Sequence, residues 1–207
     1  MSSVVLVVVA GVIAYFLGNI SPSTIMARAN GIDIKKEGSG NAGTTNALRV
    51  MGKKAGAITL VVDICKGVAA VLLGTLIAGQ LGSVTSCLCV FIGHVWPLIY
   101  KFKGGKGVAT GFGAMLAIDP LMAVIILAVV VVIVLTTKRM SAGSIVGGIM
   151  FPILSHFMAP QFFWVALLMA IILVVKHSAN INRLIHGEEP PMSIFVKTDK
   201  DAGKEGK

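Results

Sequence analysis

The chain is a succession of long apolar runs separated by short stretches rich in glycine, serine and charged residues. Most runs approach the roughly 20 residues of helix that cross about 30 Å of hydrocarbon. Helix is expected in them because an open strand cannot satisfy its backbone groups in lipid. The fourth run is short, so it is expected to be tilted or only partly spanning. The predicted helical segments are 3–26, 55–79, 83–100, 106–118, 120–137, 142–158 and 161–177.

The composition agrees with a membrane protein. Hydrophobic residues make up 56% of the chain and charged residues 13%, and the mean hydropathy is +0.89, whereas a soluble domain is about a quarter charged. No basic residue precedes the first apolar run, which is therefore predicted to be a membrane helix and not a cleaved signal peptide. We predict an all-α integral membrane protein, with one domain over residues 1–190 and a polar, disordered tail over 191–207.

The lysines and arginines lie at alternate breaks between the apolar segments. All 18 of them except Lys66 fall within 27–54, 101–106, 138–141 and 176–207. Because cytoplasmic loops of membrane proteins carry an excess of lysine and arginine, this pattern predicts seven crossings with the N-terminus outside and the C-terminus in the cytoplasm. It also accounts for the net charge of +9, so no nucleic acid partner is expected.

The first polar stretch, EGSGNAGTTNALR, combines glycines with small hydrogen-bonding side chains and ends in an arginine. Backbone N–H groups freed by glycine, together with hydroxyl and amide groups, make a cradle for an oxyanion. Thr45 or Asn46 could also cap a helix that carries Arg49. The alternative is a plain cytoplasmic loop, but such loops usually carry more Lys, Glu and Pro. The side chains of interest are Ser39, Asn41, Thr44, Thr45, Asn46 and Arg49.

The second polar stretch, KFKGGKGVAT, places a lysine among glycines. It is not a Walker A motif, because Tyr100 stands where the first glycine belongs and Gly107, not Ser or Thr, follows Lys106. Gly104 and Gly105 still allow Lys106 and nearby N–H groups to close on an anion at the start of the fourth helix, where the helix dipole favours negative charge. The alternative is a positively charged turn without a ligand.

The third polar stretch, KHSANINR, lies at the inner end of the last apolar segment. On a helix His177 and Asn180 share a face, as do Asn180 and Arg183, so together they could hold a phosphate or act on a hydroxyl. The alternative is a polar helix end with cations near its C-terminus. Ser141 or Ser144, at the start of the sixth segment, could also donate to a phosphate.

Two further features concern structure more than chemistry. Asp63 and Lys66 are three residues apart within the second segment, where charges are costly and are usually paired, so we predict a structural ion pair near the site. His94, at the inner end of the third segment, could orient the loop that follows it. No cysteine and histidine spacing indicates a metal site, and no cofactor is expected.

All three stretches are predicted to meet the membrane at one face, where their donors suit an anion with several oxygens and the adjacent bundle suits an acyl chain. SGNAGTTN with Arg49, GGKGVAT, and HSANINR, with GHVWP just before the second, resemble the three motifs of the PlsY-type acyl-phosphate:glycerol-3-phosphate acyltransferases of bacteria. The resemblance covers residues from about 1 to 190. Thr44 stands where the family pattern has alanine, which is a small departure.

The resemblance implies a seven-helix enzyme of the bacterial inner membrane, with its active site on the cytoplasmic face. It would transfer a fatty acyl group from acyl phosphate to the 1-hydroxyl of glycerol 3-phosphate, giving lysophosphatidic acid and inorganic phosphate in the first step of phospholipid synthesis, without CoA or a metal. By motif, Ser39, Lys106, His177 and Asn180 would be catalytic. The remaining substrate-binding residues would be Asn41, Thr45, Asn46, Arg49, Gly104, Gly105, Gly107, Ser141 and Arg183.

Acyl phosphate is already activated, so the reaction needs alignment of a hydroxyl and stabilisation of charge more than a strong base. Either the leaving phosphate or His177 could take the hydroxyl proton. We favour the phosphate, with His177 in a positioning role, because no carboxylate is expected nearby to orient the imidazole. A transporter of small phosphorylated solutes is the alternative function. It is disfavoured because the polar groups lie on one side and no matched pair of broken helices is evident.

Overall fold

The structure is a computed structural model that describes residues 2–195, all of which lie in helices or the turns between them. Short 3₁₀ turns occupy Leu98–Tyr100, Pro160–Phe162 and Ser193–Phe195. Most of the predicted tail, residues 196–207, lies outside the described residues. The α-helices are α1 (Ser3–Asn19), α2 (Pro22–Ala29), α3 (Thr44–Val95), α4 (Val108–Ile118), α5 (Pro120–Thr137), α6 (Met140–Met158), α7 (Phe163–Lys176) and α8 (Ser178–Ile185).

Helix α3 is interrupted twice and folds back on itself. A side-chain carbon on Gly74 would lie 2.5 Å from the carbonyl oxygen of Gly82, whereas eight residues of straight helix rise about 12 Å. The chain therefore reverses between them, at Ala78 (φ −140°) and Gly79 (φ +58°). This reversal separates the second and third predicted segments, which become α3b (53–77) and α3c (80–95).

A second interruption lies at the start of α3. Gly52 has φ +85°, a backbone conformation that only glycine adopts readily. A side-chain carbon on Gly56 would lie 2.8 Å from the Cβ atom of Leu48, so the first part, α3a (44–51), folds back along α3b. This short helix carries the end of the first polar stretch. Its return toward the bundle brings Arg49 near the other motifs.

Close packing at glycines holds α1, α3 and α4 together. A side-chain carbon on Gly18 of α1 would lie 2.9 Å from the Cα atom of Gly93 in α3c, and one on Gly67 of α3b would lie 2.8 Å from the backbone nitrogen of Ala114 in α4. Small residues allow helix backbones to approach each other closely in membrane bundles. This approach brings the ends of α1, α3c and α4 together around the loop at 101–107.

The described helices have the lengths and surfaces of a membrane bundle. Four helical stretches are long and apolar enough to cross a bilayer, and there are five if α7 and α8, which are bent by 60° at their junction, form one span. Helix α4 has 11 residues, or about 16 Å, as expected for the short fourth segment. Large apolar side chains cover the outside, including Val4, Phe16, Leu76 and Trp164.

Candidate active site

The three polar stretches, distant in sequence, lie together at one end of the bundle. The Lys35 ammonium, just before the first stretch, donates to the carbonyl oxygen of Gly104 at 2.9 Å. A side-chain carbon on Gly105 would lie 3.1 Å from the carbonyl oxygen of Ala42, which belongs to the first stretch. The Lys106 ammonium donates to the side-chain oxygen of Asn180 in the third stretch. Lys106 is therefore at the centre of the candidate site.

The buried amide of Asn46 organises the first stretch. Its Oδ1 accepts a hydrogen bond from the Ser39 N–H at 2.8 Å, and its Nδ2 donates to the carbonyl oxygens of Ile34 at 3.3 Å and Glu37 at 3.0 Å. The prediction that Thr45 or Asn46 caps the helix is wrong. Helix α3 begins at Thr44, with Gly43 as its cap residue and no side-chain cap, because the Asn46 amide turns back toward the loop.

Several donors around the start of α3a are not used by the protein. Within residues 2–195 the side chains of Ser39, Asn41, Thr45 and Arg49 make no hydrogen bond to another residue, and the buried Thr44 hydroxyl has no partner either. The first backbone N–H groups of a helix also lack intrahelical acceptors. Such a group of free donors at a helix N-terminus favours an anion.

The second stretch holds Lys106 on a tightly fixed loop. The N–H groups of Gly104 and Gly105 donate to the carbonyl oxygens at the end of α3c, at 3.2 and 3.1 Å. Gly107 has φ +83°, and a side chain there would collide with the ring of Phe91. Both constraints require glycine at 107, and a side chain on Gly104 or Gly105 would collide with His94. The predicted contribution of the Gly104 and Gly105 N–H groups to substrate binding is wrong, because both are bound to backbone carbonyls. Together these glycines fix the backbone on either side of Lys106.

The ammonium of Lys106 is partly withdrawn from water and surrounded by charge. Burial lowers its pKa to about 8, with Glu189 acting in the opposite direction and Arg183 and Arg49 adding to the decrease. The pKa of Lys35 is also lowered to about 8, mainly by burial and next by Lys176. A lysine with such a pKa remains mostly charged at pH 7 and loses its charge in the mildly alkaline range.

The imidazole of His177 is oriented by the backbone. Its Nδ1 lies 2.8 Å from the carbonyl oxygen of Leu173, and because a carbonyl can only accept, Nδ1 carries the proton. Its Nε2 therefore has a lone pair, with no hydrogen-bond partner in the described part of the chain. From the sequence only a carboxylate was considered for orienting this imidazole, and the group that does so is a backbone carbonyl one helical turn earlier.

A carboxylate that the sequence pattern did not single out, Glu189, joins the third stretch to α6. Ser141 Oγ and Asn180 Nδ2 both donate to its Oε1 at 2.7 Å, and Arg183 Nε donates to its Oε2 at 2.7 Å. Burial alone would raise the pKa of Glu189, but hydrogen bonds from Ser141, Asn180 and Arg183 hold it below the usual range. All three donors were predicted to bind substrate, and here they share one protein acceptor.

The backbone around Glu189 is fixed to the turn between α5 and α6. Arg139 Nε donates to the carbonyl oxygen of Glu189 at 2.9 Å, and the N–H of Met192 donates to the carbonyl oxygen of Lys138 at 2.8 Å. Ser144, the second serine considered for the site, donates within its own helix. The segment after α8 thus passes across the site and is part of it. In the sequence it resembles only the start of a polar tail.

The predicted pair of Asp63 and Lys66 is confirmed, with Lys66 Nζ 2.7 Å from Asp63 Oδ1 and both side chains buried. His94 Nδ1 contacts this pair, which was not predicted, and its ring lies against Gly105 of the loop that His94 was predicted to orient. Among residues 2–195, no three His, Cys, Asp or Glu side chains are grouped as metal ligands. The site is therefore a cluster of cations, hydroxyls and amides, with Glu189 and His177 Nε2 as its acceptors.

An apolar helical bundle with such a donor cluster at one end is typical of a membrane protein that binds an anionic ligand. A family model described as glycerol-3-phosphate acyltransferase matches residues 8–187. A glycerol-3-phosphate acyltransferase of Clostridioides difficile (strain 630) is 45% identical over 194 residues, covering 88% of this chain and 93% of the relative. One of Finegoldia magna is 43% identical over 186 residues, covering 88% and 94%. The chain belongs to the glycerol-3-phosphate acyltransferase family.

Solved structures agree with this membership. The crystal structure of PlsY (YgiH), an integral membrane glycerol 3-phosphate acyltransferase, in its glycerol 3-phosphate form matches with a TM-score of 0.85 at 30% identity, covering 95% of this chain and 100% of that one. A lysophosphatidic acid form of PlsY matches with a TM-score of 0.81 at 31% identity, covering 92% and 95%. The resemblance stated from the motifs is confirmed at the level of family and integral membrane fold.

We predict that Glu189→Gln lowers the thermal stability of the purified protein. The substituted amide can accept at only one oxygen, so at least one of its three donors, of which Ser141 and Asn180 are buried, loses its partner, at a cost of about 1–3 kcal/mol. Glu188→Gln is the control, because Glu188 is the preceding residue and is exposed, and its effect should stay within about 0.5 kcal/mol. Equal unfolding midpoints for both variants in one detergent would contradict the role given to Glu189.

Proposed function

We propose that this protein transfers a fatty acyl group from acyl phosphate to the 1-hydroxyl of sn-glycerol 3-phosphate. The products are lysophosphatidic acid and inorganic phosphate, in the first step of phospholipid synthesis. The observation that carries this proposal is the convergence of three donor-rich stretches on Lys106, at the end of an apolar bundle. The proposed reaction brings together a polar substrate with a phosphate and a lipid-borne substrate with a second phosphate. Both need hydrogen-bond donors next to an apolar bundle. The names of the two PlsY crystal forms, with glycerol 3-phosphate and with lysophosphatidic acid, support the proposed acceptor and the proposed lipid product.

The acyl phosphate head binds at the start of α3a. Its charge is met by the Arg49 guanidinium and by the unused helix N–H groups, with hydroxyl and amide donors from Ser39, Asn41 and Thr45. Asn46, for which the motif resemblance implies a role in substrate binding, contributes here by shaping the loop, since both of its N–H donors are already bound to backbone carbonyls. The acyl chain extends from this position into the apolar bundle.

Glycerol 3-phosphate binds on the other side of Lys106, whose ammonium holds the phosphate, while the N–H groups of Gly104 and Gly105 are bound to backbone carbonyls and shape the loop. Asn180 and Ser141 are held in fixed orientations by Glu189, and Arg183 adds positive charge. The free Nε2 lone pair of His177 accepts a hydrogen bond from a glycerol hydroxyl. This arrangement aligns the 1-hydroxyl with the acyl carbonyl, which is the main requirement for a substrate that is already activated.

The hydroxyl oxygen forms a bond to the acyl carbonyl carbon, and the bond from that carbon to the phosphate oxygen breaks. The electron pair of the broken bond leaves with the phosphate. The negative charge that develops on the carbonyl oxygen and on the phosphate is stabilised by fixed donors and cations. The hydroxyl proton passes to the departing phosphate. We retain this route because a neutral carbonyl, such as that of Leu173, stabilises an imidazolium at His177 less than a carboxylate does.

The membrane arrangement that goes with this function has seven crossings, with the N-terminus outside and the site at the cytoplasmic face of the bacterial inner membrane. The fold-back of α3 supplies two of these crossings, and the short helix α4 is one of the other five. The positions of lysine and arginine along the chain support this orientation. Neither CoA nor a metal takes part in the proposed reaction.

Purified protein in lipid vesicles, given palmitoyl phosphate and glycerol 3-phosphate without CoA or added metal, should release inorganic phosphate only when both substrates are present. Lys106→Ala should lower kcat/KM by at least about 100-fold, since it removes the central cation of the site. Lys103→Ala, an exposed lysine of the same loop, is the control and should retain activity. Uptake of glycerol 3-phosphate into the vesicles without phosphate release would instead indicate the transporter.

The pH dependence of kcat/KM for glycerol 3-phosphate should report the titration of Lys106. With its pKa lowered to about 8, Lys106 is charged below this pH and neutral above it, so kcat/KM should fall as pH rises from 7 to 9.5. Lys106→Arg should move the decline to higher pH, because arginine remains protonated throughout this range. Lys35→Arg is the control, since Lys35 has a similar pKa, and it should leave the decline in place. The opposite pattern would assign the titration to Lys35.

The role of His177 can be separated from that of a general base. We expect His177→Gln to retain kcat within about tenfold and to raise KM for glycerol 3-phosphate, because the substrate phosphate takes the proton. A loss of kcat near 10⁴-fold, the upper range for general base catalysis, would show that His177 is the base. His186→Gln is the control, since His186 makes the same bond to the carbonyl oxygen four residues earlier but is exposed.

A further inference from the structure

A buried polar cluster lies beside the site but contributes nothing to the substrate contacts proposed above. It consists of Asp63, Lys66 and His94, and we call it the Lys66 cluster. The exposed fractions of these residues are 1%, 5% and 6%. Ionisable side chains within membrane helices are costly, and they are commonly retained for a function. The arrangement of this cluster indicates what that function is.

The Lys66 ammonium has three hydrogens, and each has an acceptor. Lys66 Nζ donates to the carbonyl oxygens of Gly18 at 3.1 Å and Ile20 at 2.6 Å, at the end of α1, and to His94 Nδ1 at 2.9 Å. Asp63 Oδ1 lies 2.7 Å from Nζ but receives no well-directed hydrogen bond. Asp63 therefore balances the charge of Lys66, while the directional bonds of Lys66 go to α1 and to His94.

These bonds fix the imidazole of His94 in one orientation. His94 Nδ1 lies 2.9 Å from Lys66 Nζ and 3.4 Å from Asp63 Oδ1, so this pair holds one edge of the ring and directs Nε2 to the other side. This Nε2 edge lies against Gly105, where any side-chain carbon would collide with it. The carbonyl oxygen of His94 also accepts the N–H of Gly105 at 3.1 Å. The imidazole thus packs directly against the glycine loop, at Gly105, the residue before Lys106.

We propose that the Lys66 cluster positions the loop at 104–106 and thereby sets the affinity for the phosphate of the second substrate. Lys66 and Asp63 are positioning residues, since neither touches substrate. The inference rests on the proposed function, in which Lys106 holds glycerol 3-phosphate. A cluster that only joined α1 to α3 would affect stability and leave substrate affinities unchanged, so KM distinguishes the two roles.

The test uses the full-length protein in lipid vesicles with palmitoyl phosphate and glycerol 3-phosphate. The main variant is Asp63→Asn with Lys66→Met, because removing only one charge would leave the other buried and unpaired. Lys54→Met is the matched control, since Lys54 is an exposed lysine of the same helix. KM for each substrate, kcat and the thermal midpoint are measured for all three proteins.

We expect the double variant to fold and to raise KM for glycerol 3-phosphate at least about tenfold, which corresponds to about 1.4 kcal/mol. KM for palmitoyl phosphate should stay within about twofold, because that substrate binds at α3a, and Lys54→Met should change neither value. A folded double variant with an unchanged KM for glycerol 3-phosphate overturns the proposal. Equal increases in both KM values do so as well.

His94→Gln keeps both charges and removes the ring beneath Gly105, so it decides the question if the double variant does not fold. The proposal requires the same selective increase in KM for glycerol 3-phosphate, and an unchanged KM in folded His94→Gln rejects it. Failure of the proposed function has a different signature, because the unmodified protein would then release no phosphate. That result would remove the basis of the positioning role together with the function.

Discussion

The constraint on which this structure depends is that a polar group enclosed by apolar helices and lipid must find its partner within the protein. Water is not there to replace a missing hydrogen bond, and an unsatisfied group costs several kcal/mol. Lys66 meets this constraint with three acceptors and one counter-charge. Asn46 meets it by bonding to three backbone groups of its own loop. Both side chains thereby fix the positions of the backbone segments to which they are hydrogen-bonded.

The same constraint makes the groups without partners informative. The buried Thr44 hydroxyl and the Nε2 of His177 have no hydrogen-bond partner within residues 2–195. The Arg49 guanidinium nearby is exposed and forms no ion pair there. These groups surround Lys106, which donates to Asn180 and approaches Glu189 and Arg183 closely enough for their charges to shift its pKa. The unused groups of the site lie between the helix start that carries the first motif and the loop that carries the second, and the Thr110 hydroxyl in α4 and Asp63 Oδ1 in α3b are two further buried atoms without a hydrogen-bond partner within residues 2–195. Substrate binding in the site would complete bonds that the protein itself leaves open.

Glu189 has the opposite role, because it is an acceptor that satisfies donors. By binding Ser141, Asn180 and Arg183 at once, it joins α6 to α8 and prevents three long or rotatable side chains from taking other orientations. A site that must align two substrates benefits from donors that are already oriented. Side chains that rotate freely in the unbound protein would have to lose this freedom when substrate binds. The Lys66 cluster acts in the same way from below the glycine loop. The geometry around Lys106 thus depends on residues that do not belong to the three motifs.

The sequence by itself determined the class of the protein, its family, the three motifs and the pairing of Asp63 with Lys66, because each depends on residue type and short spacing. Only the tertiary structure decided the two fold-backs of α3, the orientation of the Asn46 amide and the hydrogen bond from Ser141 to Glu189. Glu189 is 48 residues from Ser141, and no local pattern specifies contact over such a separation. Contacts of this kind arise when glycine-packed helices place distant segments side by side, and they settle which donors remain free for substrate.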